Sequence, residues 1–493
     1  MQISWKKSDS EMNIEVIAED VAGPVWADAG DVIRVLEGAT VDGTGTQGIG
    51  PRTGSDIGFR VAVHGTVIGD YYGVDLQSDP ASEARNSLFI SSTGRVTGIA
   101  PVYAGNVSGN IVVNWGLIDG RFGIVGDGPA TMIANHGVIR SEMAAIELTG
   151  DASIIRNHGL VEAGIYLGDS VGSRIFNTGT FESQLGGITV SNCTDFRLKN
   201  QGQLIDHSDE GYALELVMLQ GFRFGNSGTL SGNTGIQILH SDGIVRNYGT
   251  ISGSDLGIHV GGFENDVVVR NEGIISGGVA AVFAYDVTLR LNNSGTIEGH
   301  IIIHEASYDS RILNSGHITG DVEFGYGNDR YFALGSAEVG GKIVGGYGND
   351  VITGGMAGDR LFGDMGDDEL NGRLGADVLT GGSGDDVLKG GNGWDVLDGG
   401  DDNDVIEGGA GNDMLTGGAG LDVFVFGAES GKDRVTDFEQ GIDLLRIAGH
   451  TGGFGTLAIS VQNAHLTVAH DGGTIVLEGL AATILSASDF EFL

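Results

Sequence analysis

Gly381-Gly-Ser-Gly-Asp-Asp-Val-Leu-Lys-Gly-Gly-Asn-Gly-Trp-Asp-Val-Leu-Asp398 holds two copies of one nine-residue pattern. From Gly345 to Val425 the chain divides into nine such nonapeptides in unbroken phase. Position one is Gly in every copy. Position six is Asp in every copy: Asp350, Asp359, Asp368, Asp377, Asp386, Asp395, Asp404, Asp413 and Asp422. Position eight is apolar in every copy: Ile352, Leu361, Leu370, Leu379, Leu388, Leu397, Ile406, Leu415 and Phe424. An isolated copy, Phe324-Gly-Tyr-Gly-Asn-Asp329, precedes the block. Solvated acidic loops have no reason to keep a strict period, so the phase marks a stacked structural unit.

The chemistry of the repeat is one-sided. The block carries 17 Asp and Glu against three cations (Arg360, Arg373, Lys389), and Gly makes up nearly a third of it. One assured apolar residue in nine buries too little surface to offset chain entropy and carboxylate repulsion. A hard divalent cation changes that balance. The position-six carboxylate and the carbonyls of the Gly-rich half form an all-oxygen donor set of the kind Ca²⁺ prefers. Gly lets carbonyls converge, and positions seven to nine then read as a short strand with one inward apolar residue.

The pattern Gly-Gly-x-Gly-x-Asp-x-aliphatic-x resembles the RTX (repeats-in-toxin) hemolysin-type calcium-binding repeat. The resemblance implies a parallel β-roll with two nonapeptides per turn and a Ca²⁺ between the loops of repeats i and i+2. Nine repeats then give up to about seven ions. It implies as metal ligands the position-six Asp side chains and Asp329, with Gly345, Gly346, Gly348, Gly382, Gly384, Gly391, Gly393, Gly409, Gly411, Gly418 and Gly420. Ala357, Asp364, Arg373 and Asp402 stand where the pattern expects Gly, and Arg373 sets a cation beside Asp377. The tail is similar to the closing segment of RTX proteins exported by type I secretion: Asp422-Val-Phe-Val-Phe, Gly431-Lys-Asp-Arg-Val-Thr-Asp-Phe, Gly441-Ile-Asp-Leu-Leu and the acidic-then-apolar end Ser488-Asp-Phe-Glu-Phe-Leu493. The resemblance covers residues 321–493 and is silent on residues 1–320.

A second period runs through the first two thirds. Asn-x-Gly recurs at Asn114, Asn135, Asn157, Asn177, Asn200, Asn226, Asn247, Asn271, Asn293 and Asn314, at intervals between 20 and 26. Between these points short β-branched runs alternate with polar residues, as in Ile244-Val-Arg-Asn-Tyr-Gly-Thr-Ile-Ser-Gly253. A period near 22 with several strands per period predicts a right-handed parallel β-helix. Stacked Asn amides are expected to hydrogen-bond along it, and Gly is expected to turn the corners through the left-handed region. The whole is an all-β chain: a cap over 1–30, a parallel β-helix over 31–320, a Ca-binding β-roll over 321–425, and a small β cap with secretion signal over 426–493.

Composition agrees. Gly is 89 of 493 residues, against a usual share of about 7%, while Pro is only five. The net charge of −40 and the lack of any run of Lys and Arg argue against nucleic acid. Cys193 stands alone, so no internal disulfide exists. No apolar run reaches membrane-spanning length.

Catalytic patterns are sparse. His-Glu-x-x-His and Gly-x-Ser-x-Gly are both absent. The polar groups Asp206-His-Ser-Asp-Glu-Gly-Tyr212 and His304, Glu305, Tyr308, Asp309 and Arg311 read as solvated turns rather than proton-transfer sites. His136 and His158 follow the repeated Asn and are expected to stack. The favoured expectation is a secreted or cell-surface, non-enzymatic calcium-binding protein. It presents its β-helix for adhesion, matrix or cell contact, with a cell-surface or polysaccharide ligand and the type I secretion machinery as partners. Two alternatives stand beside it: a polysaccharide lyase or epimerase with an RTX module, against which a −40 surface repels polyanionic sugars, and a bacteriocin-like toxin.

Overall fold

The repeated Asn set the register. In a computed structural model of the chain, the strands Ile154–Asn157, Arg174–Asn177, Arg197–Asn200 and Phe222–Asn226 pair in parallel with Asn over Asn. The structure describes residues 3–5, 14–28, 31–43, 45–51, 58–77, 85–105, 107–263, 265–304, 308–462, 465–480 and 485–493. The chain forms two compact units, Met1–Val260 and Gly261–Leu493. Among the described residues, helix is confined to two short 3₁₀ turns, Phe454–Thr456 and Ala487–Asp489.

The first unit is a stack of coils, each built from three strand segments. Arg197–Asn200, Gln203–Asp206 and Tyr212–Val217 make one coil. The next coil pairs with it at Arg197↔Arg223, Gln203↔Thr229 and Leu214↔Ile236. Alternation along each strand sends Ile155, Ile175, Leu198 and Phe224 into the interior, where they are at most 2% exposed. A shift of one residue would turn every one of them outward, so the apolar column locks the stacking.

The amide ladder runs as the spacing predicts. Asn114, Asn135, Asn157, Asn177, Asn200 and Asn226 each donate from Nδ2 to Oδ1 of the next Asn at 2.8–2.9 Å, ending on Asn247 within this unit. Asn157 also donates to the Thr180 carbonyl and accepts the Gly159 N–H. These side chains are buried with both ends used. The role of the following Gly differs from expectation. Gly137, Gly159, Gly179, Gly202, Gly228 and Gly249 are not in the left-handed region. A Cβ on any of them would instead collide with the carbonyl oxygen of the equivalent Gly in the preceding coil. Close stacking of coils, rather than a corner, demands Gly there. On the outside Trp115, His136 and His158 stack face to face at 4.0 and 4.8 Å, as the two His positions suggest. Cys193 is buried against the Ser170 hydroxyl.

The second unit changes period within itself. Its first coils repeat the three-strand pattern, with Asn271, Asn293 and Asn314 in an amide ladder that ends on the Tyr331 hydroxyl. Val322 pairs with Ile343, and Ile343 in turn with Leu361, so the step between stacked coils shortens from 21 to 18. From there to Phe424 all pairing is at 18, in two columns. One holds Arg360–Met365, Val378–Ser383, Val396–Asp401 and Met414–Ala419. The other holds Glu369–Leu374, Val387–Gly393, Val405–Gly411 and Val423–Phe426. This fits a β-roll of two nonapeptides per turn. The strands outrun the sequence expectation, since Val378–Ser383 passes through the following Gly381-Gly382. Position-eight residues fill the core at 0–1% exposure. The tail extends both columns through Leu415↔Val435↔Leu477 and Phe424↔Leu445↔Phe490. Ala458–Gln462, His465–His470 and Gly473–Leu477 form an antiparallel meander.

Candidate metal centre

Each position-six Asp sits at a corner where one strand begins, and stacking places these corners over one another. The backbone N–H of Asp350 donates to Asp368 Oδ1 at 2.7 Å. The same bond repeats from Asp368 to Asp386, Asp386 to Asp404, and Asp404 to Asp422. The second column repeats it from Asp359 to Asp377, Asp377 to Asp395, and Asp395 to Asp413. Asp329 joins the first column through its N–H to Asp350 Oδ1 at 2.6 Å. All these side chains are buried, none more than 7% exposed.

The other carboxylate oxygen has no donor. Oδ2 of Asp329, Asp350, Asp368, Asp377, Asp386, Asp395, Asp404 and Asp413 is buried without a hydrogen-bond partner. Asp359 is the exception in its column and accepts the Gly355 N–H. A buried, unpaired carboxylate oxygen is costly. Burial is accordingly the main reason these acids sit high: Asp368 and Asp404 at about 8, Asp329 and Asp350 at about 7, and Asp377, Asp386, Asp413 and Asp422 at about 6, against an ordinary 3.8. The stacked neighbours add repulsion, as Asp386 and Asp422 do at Asp404.

Position one is Gly because of this oxygen. In all nine repeats a Cβ there would lie within 2.6 Å of Oδ2 of the same repeat's Asp. In six of them, including Gly345, Gly381 and Gly399, the position-one carbonyl of the repeat stacked next in the column lies within 2.9 Å of the same point. In five of these, all but the Gly354 cradle of Asp359, an unpartnered carboxylate oxygen and a backbone carbonyl therefore converge on a space that only Gly leaves open. That donor set suits a hard cation. Among the described residues no three His, Cys, Asp or Glu side chains cluster to hold a metal, so any ion here must use backbone carbonyls as well.

The irregular repeats find different solutions. Asp364, Arg373 and Asp402 occupy Gly positions and keep the left-handed backbone, with φ of 76°, 75° and 78°. Ala357 does not. Arg373 turns its guanidinium to the Ala333 carbonyl at 3.2 Å. Of the remaining ligand positions, Gly346, Gly348, Gly382, Gly384, Gly391, Gly409, Gly418 and Gly420 have positive φ; Gly393 and Gly411 do not.

Two carboxylates escape a strict nine-residue reading. Asp413 N–H donates to Asp433 Oδ1 at 3.0 Å, and Asp422 N–H to Asp443 Oδ1 at 3.1 Å. Both continue the corner columns into the tail, at offsets of 20 and 21. The triad Asp-x-aliphatic, in Asp433-Arg-Val435 and Asp443-Leu-Leu445, is the signal that marks them. At the other end Ser310 N–H donates to Asp329 Oδ1, and Leu289 N–H to Ser310 Oγ.

The catalytic candidates of the sequence do not converge. His207 lies against Glu182 at 2.9 Å, Asp206 accepts from Gly186 N–H and the Ser208 hydroxyl, and Asp309 accepts the Asn328 N–H. His304 faces the Tyr285 ring, and Arg311 lies over Phe332. Glu305 lies outside the described residues.

Residues 342–370, 371–406, 389–424 and 398–431 match the family of RTX calcium-binding nonapeptide repeats. The block carries RTX calcium-binding repeats. No curated protein matches the chain. Among solved structures the chain is similar to the extracellular lipase LipA from Serratia marcescens, at 18% identity over 29% of this chain and 39% of that one, with a TM-score of 0.16. It is also similar to the AlgE6R3 and AlgE6R2 subunits of the Azotobacter vinelandii mannuronan C5-epimerase, each at 28% identity. Those matches cover 27% and 31% of this chain and 78% and 92% of the subunits, with TM-scores of 0.18 and 0.19. The chain thus spans well under half of the lipase, and the RTX match is confined to its C-terminal part. Among the described residues no helix is long and apolar enough to cross a membrane.

Proposed function

We propose that this is a secreted or surface-associated calcium-binding protein without enzymatic activity, in which calcium completes the fold and the coils of the β-helix make contact with a matrix or cell surface. The observation that carries the reading is the double row of buried Asp Oδ2 atoms without donors. Calcium would be held between repeats i and i+2, up to about seven ions in all. The ligands would be these carboxylates and carbonyls of the Gly-rich half, among them those of Gly363, Gly381 and Gly399. At cytosolic calcium the acidic block stays open and exportable by type I secretion machinery acting on the 426–493 tail. Calcium outside the cell binds the folded state alone and stabilises it by mass action.

Circular dichroism and thermal melting with calcium and with a chelator test this directly. Calcium should add β signal and raise the melting midpoint; identical curves would sink the reading. Asp386→Ala with Asp404→Ala removes a facing pair. Calcium titration should then count at least one ion fewer, and an unchanged count would refute the pairing.

A further inference from the structure

Sequence alone presents no basic cluster, because the cations that matter come from separate coils. Parallel stacking brings them together. In the first unit Arg174, Arg197 and Arg223 occupy the same outward position of successive coils, each directly over the next. Beside them Phe176, Lys199, Gly225 and Arg246 form a second outward row in register. The four Arg and Lys199 are exposed. They edge a shallow depression of about 540 Å³ whose floor includes the half-buried Phe176 ring.

Like charges facing each other across paired strands repel, and strands stack at about 4.8 Å. This chain normally answers a surface cation with a carboxylate from a stacked coil. Arg95 pairs with Asp119, Arg140 with Glu162, and Arg290 with Asp266. Among the described residues, none of the five cations in these rows, nor Arg156 next to them in register with Phe176, has such a partner, in a chain with 66 acids to 26 bases. No outward position of these strands from Ile154 to Arg246 is acidic. Repulsion between stacked guanidinium groups is thus left without internal relief, on a protein whose other surface would supply anions in excess.

We propose that this face binds a linear acidic polysaccharide lying along the stacking axis. The assignment rests on the contact-surface reading above and gives it a ligand class and a location. The cation row offers one positive group per coil, a density of about one per 4.8 Å. Duplex nucleic acid presents one charge per about 1.7 Å and would press its excess phosphates against an acidic protein. A polymer with one carboxylate or sulfate per sugar fits the lower density. Guanidinium forks bind carboxylates in two-pronged fashion, and the Arg156 guanidinium, held over the Phe176 ring at 5.6 Å, adds a further cation beside the rows.

The test uses the full calcium-loaded chain at fixed calcium. Affinity electrophoresis runs through gels containing a polyuronate, a sulfated glycan, a neutral glucan, duplex DNA or no polymer, and flotation with anionic vesicles runs in parallel. Wild type should be retarded by polyuronate or sulfated glycan, not by neutral glucan. The two acidic arms separate carboxylate from sulfate as the partner chemistry. Arg197→Glu with Arg223→Glu should weaken retention at least about tenfold, and the paired Lys variants, which keep the charge and lose the fork, should weaken it less. Calcium-dependent melting of the reversed variant should match wild type. Equal retention of wild type and reversed variant overturns the proposal, as does no retention by any acidic glycan. Tighter binding to DNA or vesicles than to glycan also overturns it. If calcium-linked melting persists while glycan binding is absent, this assignment falls and calcium-dependent folding stands; loss of calcium dependence with glycan binding intact has the reverse meaning.

Discussion

Asn157 and Asp386 do similar work in different parts of the molecule. Each is buried at the edge of a strand, and each is hydrogen-bonded to the equivalent residue one coil away. The difference is one of donors. An amide both gives and accepts, so the Asn column closes on itself and carries no charge. An ionised carboxylate only accepts, so Asp386 uses Oδ1 and leaves Oδ2 stranded. The Asn coils need nothing from solution, whereas the Asp corners need a cation or a proton.

The contrast breaks most visibly on removal of calcium. With a chelator, hydrogen exchange at the N–H groups of Asp368, Asp386 and Asp404 should quicken by orders of magnitude, while the amides of the Asn114–Asn247 ladder keep their protection. Uniform loss across both would refute a division of labour. Protons come next. Burial raises the corner carboxylates in the folded chain, Asp386 to about 6 and Asp404 to about 8. A folded-state pKa above the unfolded value means that stabilisation is complete below about pH 4 and lost as pH climbs through 6 to 8. Melting in chelator should therefore weaken from pH 5 to pH 8. With saturating calcium the trend should reverse, because the ion binds the deprotonated group; parallel trends would count against the carboxylates as ligands. Asn177→Asp plants the roll's problem in the other region. It deletes donors to Asn200 and Gln203 and buries a charge, at a cost of about 3 kcal/mol by urea unfolding. Asn177→Ala should cost less, and the opposite order would be informative. The smallest effect is the converse exchange. Asp404→Asn should stabilise the calcium-free chain by about 1 kcal/mol while lowering the calcium count, which melting in chelator and titration read separately.

Much of this organisation was legible because it is periodic. Nine-residue phase marked the stacked unit, the RTX resemblance it carries implied two repeats per turn, and Asn spacing foretold the amide ladder and the Trp115-adjacent His stack. What was missed obeys contacts rather than phase. Asp433 and Asp443 fall out of step with the columns they continue, so only the Asp-x-aliphatic triad betrays them. The Gly of Asn-x-Gly looked like a turn residue, yet its requirement comes from the backbone of the coil stacked against it, which no local pattern reveals. Arg174, Arg197 and Arg223 are scattered in sequence, and they become adjacent only because pairing closes two coils of unequal length.

The corner bonds also have a direction. In every link the earlier residue gives its N–H and the later one supplies the carboxylate, ending at Asp433 and Asp443. A roll cut before residue 426 would leave the N–H groups of Asp413 and Asp422 without those acceptors. The two ends of the stack are thus unlike: one opens on the neutral side chain of Ser310, and the other closes on the carboxylates of Asp433 and Asp443. A cut on the tail side strands N–H donors, whereas a cut on the Ser310 side strands an acceptor oxygen of Asp329, so the same roll would fail differently at its two ends.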